Sequence, residues 1–226
     1  MNNIKHIFFD LDHTLWDFET NSDLALEAIL KENTSIDVEE FLKFYRPINH
    51  EYWQKYAKHE VTKEALKYGR LKDTFDALNY EIQDDKILFL GEEYLEKLAE
   101  FDQLFENTHE VLNYLKEKYT LHIITNGFKV VQNKKIKNSK LESYFDVIVT
   151  SECVGVNKPN PEIFKFALEK AGAEVENSMM IGDNLQTDIL GAKNVGMQTI
   201  FCNFNRDTTE KGITQIHELK DLFSIL

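Results

Sequence analysis

The sequence predicts an α/β protein, an open parallel sheet interrupted by an inserted all-helical domain, and three observations carry that prediction. Five short apolar, β-branched or aromatic runs recur along the chain, four of them in its second half. Helical spacing and helix-boundary residues occupy the stretches around those last four runs. A long segment of different texture, rich in Leu, Phe, Tyr, Glu and Lys, separates the first run from the second.

The first run is Ile4–Phe9. Met1-Asn2-Asn3-Ile4-Lys5-His6 leads straight into it, with no charged and apolar leader of the kind that is cleaved off. Its near-continuous apolar character suits a strand covered on both faces, as strands of a parallel sheet are. From Asn21 to Glu100 only Pro47, Gly69 and Gly91 interrupt a helical texture. Phe41, Phe44 and Tyr45, then Tyr52, Trp53 and Tyr56, recur three and four apart, so the segment reads as several helices. That is far longer than a simple crossover connection, and it reads as an inserted helical cap domain over residues 18–104. Residues 1–17 and 105–226 are then the α/β core.

Beyond the insert, Val111, Leu112, Tyr114 and Leu115 predict a helix, with Asn107-x-x-Glu110 as a capping box at its start. The second run, Leu121–Thr125, follows it, and Val147–Thr150 is the third. Asn160 before Pro161 reads as an N-cap with proline at the first helical position. The helix runs through Phe164, Ala167 and Leu168 and stops near Gly172. Met179–Ile181 is the fourth run. A helix is predicted from around Gln186 to near Gly196, and Thr199–Cys202 is the fifth run. Strand and helix in alternation is the signature of right-handed βαβ units.

Composition narrows the function classes. Hydrophobic residues make up 42% and charged residues 29%, which suits a globular protein. No stretch approaches the roughly 20 apolar residues of a membrane helix. Cys153 and Cys202 are too few for a disulfide framework and lack metal-ligand spacing, so a reduced cytoplasm is the expected compartment. The net charge of −13 disfavours a nucleic-acid binder. It also means that an anionic substrate would need a local cation.

The chemistry concentrates at strand ends. Asp10-Leu11-Asp12-His13-Thr14 directly follows the first strand, and alternation along an extended chain points Asp10 and Asp12 the same way. Thr125-Asn126-Gly127 closes the second strand, Lys158-Pro159-Asn160-Pro161 comes after the third, and Gly182-Asp183 through Asp188 follows the fourth. Each alone reads as an ordinary turn, loop or cap. Four in series, each after a strand, read as a site, because ligands of open α/β sheets bind at the carboxyl ends of the strands.

These motifs, in this order, resemble those of the haloacid dehalogenase-like superfamily, and specifically its phosphatases. The likeness spans essentially the whole chain, including the cap inserted after the first motif. His13 departs from it, since glycine is the commonest residue there. Thr125-Asn126-Gly127-Phe128 and Ser151-Glu152-Cys153-Val154-Gly155 look like the subfamily of pyrimidine nucleotidases acting on noncanonical nucleotides. The resemblance implies a Rossmann-like five-stranded parallel sheet in the order 3-2-1-4-5, with Asp10 between the strands that carry Thr125 and Asp183. It implies Asp10 as nucleophile and Asp12 as general acid and base. Thr125, the Asn126 backbone N–H and Lys158 would bind the phosphoryl oxygens, and Lys158 would also offset the aspartates. One Mg²⁺ would be held by Asp10, the Asp12 carbonyl and Asp183, with Asp188 holding a metal-bound water.

Rival readings are a dehalogenase, against which Asp12 argues, a phosphomutase, a sugar-phosphate or phosphoglycolate phosphatase, and a non-catalytic binding or regulatory protein. The expected partner is a small phosphorylated metabolite, with a nucleoside 5′-monophosphate as the preferred class, and neither nucleic acid nor membrane. Within the cap, Tyr52, Trp53 and Tyr56 read first as helix packing, with base stacking as the alternative, and Arg70 reads equally as a substrate contact or a surface charge; Trp53 and Arg70 are the candidate substrate residues. His6, His109, His122 and His217 read as structural or solvated.

Overall fold

The computed structural model describes residues 3–208 and 212–226. The chain divides into two compact units, Met1–Phe18 with Asp102–Leu226, and Glu19–Phe101. No helix among the described residues is long and apolar enough to cross a membrane.

The first unit is built on β1 (His6–Phe9), β2 (Thr120–Thr125), β3 (Phe145–Thr150), β4 (Ser178–Gly182), β5 (Gln198–Cys202) and β6 (Gln215–Ile216). All pair in parallel in the order β3-β2-β1-β4-β5-β6. The sheet therefore has six strands rather than the five expected. The sixth escapes a reading of apolar runs because it is two residues long and only Ile216 of it is buried. Ile7, Phe8 and Phe9 of β1 are inaccessible to solvent, which is the consequence of a central position with cover on both faces. One layer of that cover packs Phe8 and Ile124 against Ile163, Phe164 and Ala167.

Around this sheet stand α5 (Thr108–Lys116), α6 (Lys129–Asn138), α7 (Ser151–Val154), α8 (Pro161–Ala171), α9 (Gly191–Asn194) and α10 (Leu222–Ile225). The Asn160 side chain accepts the Glu162 N–H at 3.0 Å, and Gly172 closes α8 in the left-handed region with φ 60°. The capping box expected at Asn107 does not form. Asn107 itself is left-handed, with φ 65°, rather than in the extended conformation usual for a capping residue, and its side chain makes no capping bond. The Thr108 hydroxyl instead donates to the Phe105 carbonyl at 2.7 Å. The helix predicted from Gln186 to near Gly196 is a π-helical stretch, Leu185–Leu190, followed by the short α9.

The second unit comprises α1 (Phe18–Asn33), whose first residue belongs to the sheet unit, α2 (Val38–Ala57), α3 (Lys63–Ala77) and α4 (Asp84–Leu98). Asp37 and Thr62 cap α2 and α3 by accepting the N–H groups of Glu40 and Ala65 at 2.8 and 3.1 Å. Apolar residues three and four apart meet in its interior, where Phe41 lies against Phe75 with ring centroids 5.1 Å apart.

Candidate active site at the carboxyl end of the sheet

The backbone brings Asp10 to the carboxyl end of β1, where its N–H donates to the Ile181 carbonyl of β4 at 2.9 Å. Since β1 lies between β2 and β4, the segments leaving those strands carry Thr125 and Asp183 to either side of Asp10. After Asp10 the chain turns sharply. His13 adopts φ 61°, in the left-handed region that glycine occupies freely, which accounts for glycine being the commonest residue at this position but not for the histidine here. Thr14, inaccessible to solvent, donates its hydroxyl to Asp183 Oδ1 at 3.2 Å and ties this turn to the β4 loop.

Asp183 and Asp188 converge with Asp10: one carboxylate oxygen from each lies within 4.8 Å of the others. The π-helical stretch makes this approach. Asn184 accepts the N–H groups of Gln186 and Thr187, both at 3.0 Å, and Asp188 Oδ2 reaches back to accept the Asn184 N–H at 3.0 Å. Gly182 is required here, because a Cβ would stand 2.3 Å from Asp188 Oδ2.

Lys158 enters this cluster fully buried. Its Nζ lies 2.6 Å from Asp10 Oδ1 and 2.8 Å from Asp188 Oδ1, and it donates to the Ile124 carbonyl at 2.7 Å. Asn126 holds the lysine from behind: its amide donates to the Lys158 carbonyl at 3.0 Å and accepts the Lys158 N–H at 2.7 Å. Burial works against the Lys158 ammonium, but Asp10 and Asp188 outweigh it and raise the pKa. Burial pushes the Asp10 carboxyl well up, Lys158 draws it back, and Asp188 and Asp183 push it up again. Asp183 is pushed up to about 8, by burial first and by Asp188 second.

Lys158 is thus shared by Asp10 and Asp188, and Asp183 brings a third carboxyl group to the same cluster. Converging carboxyl oxygens whose ionisation is disfavoured by burial and by one another suit a hard divalent cation, which takes oxygen ligands and favours the charged form. The donor set fits the expected Mg²⁺.

Asp12 stands apart from these three. Its Oδ1 accepts from Lys135 at 2.7 Å and its Oδ2 from the Gln132 amide at 2.8 Å. The same Gln132 nitrogen donates to Thr125 Oγ1 at 2.8 Å, and the Gly127 N–H adds a second donor to that oxygen at 3.1 Å. With both lone pairs of Thr125 taken, its O–H hydrogen is left to donate elsewhere. Gly127 makes room for this contact, since a Cβ would come within 2.3 Å of Gln132 Nε2.

The sequence reading includes Thr14 in the first motif without a role of its own and does not reach Gln132 or Lys135. The signal was present for the latter two: Gln132 and Lys135 lie one helical turn apart on α6, beside the apolar Val131 and Ile136, so two polar side chains share its buried face. The Ser151–Gly155 segment has a visible role in the same region, where Glu152 accepts the Lys129 N–H at the start of α6 at 2.6 Å.

The residues picked out in the helical insert lie within the second unit. Trp53 packs edge-on to Tyr56 with centroids 5.7 Å apart, and Tyr52 donates its hydroxyl to Asp73 at 2.8 Å. Arg70 is buried, donates to Asn49 Oδ1 at 2.9 Å, and stacks 4.8 Å from the Tyr94 ring centroid, while its Nε and Nη2 have no hydrogen-bond partner among the described residues.

Residues 4–196 match the family model of the haloacid dehalogenase-like hydrolases. Pyrimidine 5′-nucleotidase YjjG of Escherichia coli is 33% identical over 223 residues, covering 96% of each chain. A glyceraldehyde 3-phosphate phosphatase of Methanothermobacter thermautotrophicus is 34% identical over 239 residues, covering 99% of this chain and all of its own. Among solved structures, magnesium-bound YfnB of Bacillus subtilis superimposes with a TM-score of 0.90 at 26% identity, covering 100% of this chain and 99% of that one.

Proposed function

The chain belongs to the haloacid dehalogenase-like hydrolase family and is a phosphatase of that family, and from this premise we propose that it hydrolyses nucleoside 5′-monophosphates with a pyrimidine base, through an aspartyl-phosphate intermediate. The observation that carries the reading is the meeting of Asp10 with Lys158, Asp183 and Asp188 beside the paired Asp12 and Thr125. The substrate class rests on the likeness to a pyrimidine 5′-nucleotidase over nearly the full length of both chains. Free Cys153 and Cys202 and the acidic composition suit a reducing cytoplasm.

In the first step an Asp10 carboxylate oxygen attacks phosphorus opposite the ester oxygen, and the P–O(ester) bond breaks as the acyl phosphate forms. Asp12, in its protonated form, gives its proton to the leaving alcohol oxygen. In the second step a water attacks phosphorus, Asp12 takes its proton, and inorganic phosphate leaves with Asp10 regenerated. The Thr125 hydroxyl, the Asn126 backbone N–H and the Lys158 ammonium bind the non-bridging oxygens, where negative charge persists throughout. Asp10, the Asp12 carbonyl and Asp183 would hold Mg²⁺, with Asp188 keeping a metal-bound water. When bound, the ion neutralises the phosphate so that a carboxylate can approach phosphorus.

A second reading has its own support in the archaeal relative of 34% identity that acts on glyceraldehyde 3-phosphate. The two separate in a comparison of kcat/KM for pyrimidine nucleotides, glyceraldehyde 3-phosphate, hexose phosphates and phosphoglycolate at equal Mg²⁺. The nucleotide is expected to lead. A triose or sugar phosphate that leads by tenfold, about 1.4 kcal/mol of transition-state preference, overturns the nucleotidase reading and leaves the phosphatase standing.

A further inference from the structure

We propose that Lys135 is a positioning residue for the proton transfer from Asp12, stabilising the carboxylate that Asp12 becomes as the alcohol departs; this rests on the phosphoryl-transfer reading given above. The inference begins from an expensive placement. An ammonium taken fully out of water costs several kcal/mol unless it is paired, and the Lys135 side chain is only 2% exposed. It sits 4.0 Å over the Trp16 ring centroid and 5.2 Å from that of Phe18, so its charge is screened from solvent on the aromatic side. Its Nζ meets Asp12 Oδ1 at 2.7 Å. Trp16 is itself inaccessible to solvent and bridges through its backbone to Asp12, so the ring beneath the lysine and the carboxylate that it pairs with belong to one short segment.

Gln132 completes the arrangement. Its two amide hydrogens go to Asp12 Oδ2 and to Thr125 Oγ1, both at 2.8 Å, so one side chain fixes both the proton-transfer group and the hydroxyl assigned to phosphate. Two N–H donors on the two oxygens of Asp12 match its anionic form. That is the form present once the proton has passed to the leaving oxygen. Stabilisation offered there, by a fixed charge in a site shut off from water, grows as the proton moves and so lowers the barrier. The Lys135 contact is to the proton-transfer group Asp12, whereas the ammonium on Asp10 and Asp188 is that of Lys158.

The test exploits the leaving group. An alcohol of high pKa needs the Asp12 proton as it leaves, whereas 2,4-dinitrophenolate does not. In Lys135→Met, of similar length and uncharged, kcat/KM for a nucleoside monophosphate is expected to fall at least tenfold more than kcat/KM for 2,4-dinitrophenyl phosphate. Lys135→Arg, which keeps a cation at Asp12, is expected to recover most of the difference. Turnover of the activated ester by the variant reports that it is folded. Equal losses on both esters, or no loss on either, overturn the inference while leaving the phosphatase reading intact. A wild-type protein that turns over neither ester overturns the phosphatase reading itself, and this inference with it. Loss on the nucleotide alone, without recovery by arginine, assigns Lys135 a packing role and also overturns the proposal.

Discussion

At the scale of single residues, Asp10 is the position on which the chemistry turns. It is buried, bonded through Oδ1 to Lys158, and flanked by two further carboxylates. Asp10→Asn keeps the shape, the backbone bond to Ile181 and a partner for Lys158, and it removes one of three converging carboxyl groups. Folding is expected to survive, while hydrolysis of any phosphate ester falls by several orders of magnitude. Turnover by Asp10→Asn within tenfold of wild type would remove the covalent mechanism. His13 shows the same logic in reverse. What the structure shows there belongs to the backbone, whose left-handed conformation lets the chain turn from Asp12 to Thr14, and Thr14 reaches Asp183.

Pairing between elements sets a second property. His6 on β1 and His122 on β2 face each other with ring nitrogens 3.1 Å apart, and His122 also stacks on Phe8 at 4.6 Å. Burial, followed by the neighbouring His6, lowers His122 to about 4, with Asp146 pulling weakly the other way. His6 is lowered too, by burial and then by Lys5. Both rings are neutral in the folded protein at pH 7, while the unfolded chain takes up protons below about 6.5. The stability this contributes is therefore full above about pH 6.5 and is lost as pH falls towards 4. For His122 the loss between pH 7 and pH 5 is on the order of 1–2 kcal/mol, allowing for screening on the side of the partly buried His6. His122→Phe keeps the ring and removes the titration. Urea unfolding at the two pH values is expected to show a smaller acid loss in the variant, and equal losses would sink the account.

For the molecule as a whole, the net charge of −13 and the buried carboxylate cluster act in the same direction. Self-repulsion works against the compact state, and a bound divalent cation offsets it where it is most concentrated. A ligand that binds only the folded protein stabilises it by about 2.7 kcal/mol at one hundred times its Kd. For a chain of this size that amounts to a rise in Tm of roughly 5–10 °C. Melting in saturating Mg²⁺ against EDTA is expected to show such a rise in the wild type and little of it in Asp183→Asn. A rise of the same size in that variant would place the ion elsewhere. The two compact units each carry their own apolar interior, and the sheet unit is assembled from two stretches of chain on either side of the helical one.

Much of this was legible in the amino-acid order alone, for reasons that are local. A strand covered on both faces must be apolar along its length, so β1 to β5 announce themselves. Chemistry confined to strand ends puts Asp10, Thr125, Lys158 and Asp183 directly after or between those runs. Proline and glycine at helix boundaries fix α8. What escaped depends on partners distant in sequence. Two residues of β6 form a strand only because β5 offers an edge to pair with. Asn107 fails as a capping residue because its own backbone is left-handed, and no spacing rule contains that angle. Gln132 and Lys135 read as ordinary polar residues on a helix until the sheet brings Asp12, more than a hundred residues earlier in the chain, within 2.8 Å of both. The order of residues was enough for β1 to β5, their chemistry-bearing ends and the family. The tertiary structure decided which buried charges share a partner, because electrostatic and hydrogen-bond energies depend on distances of a few ångströms that only the packed chain defines.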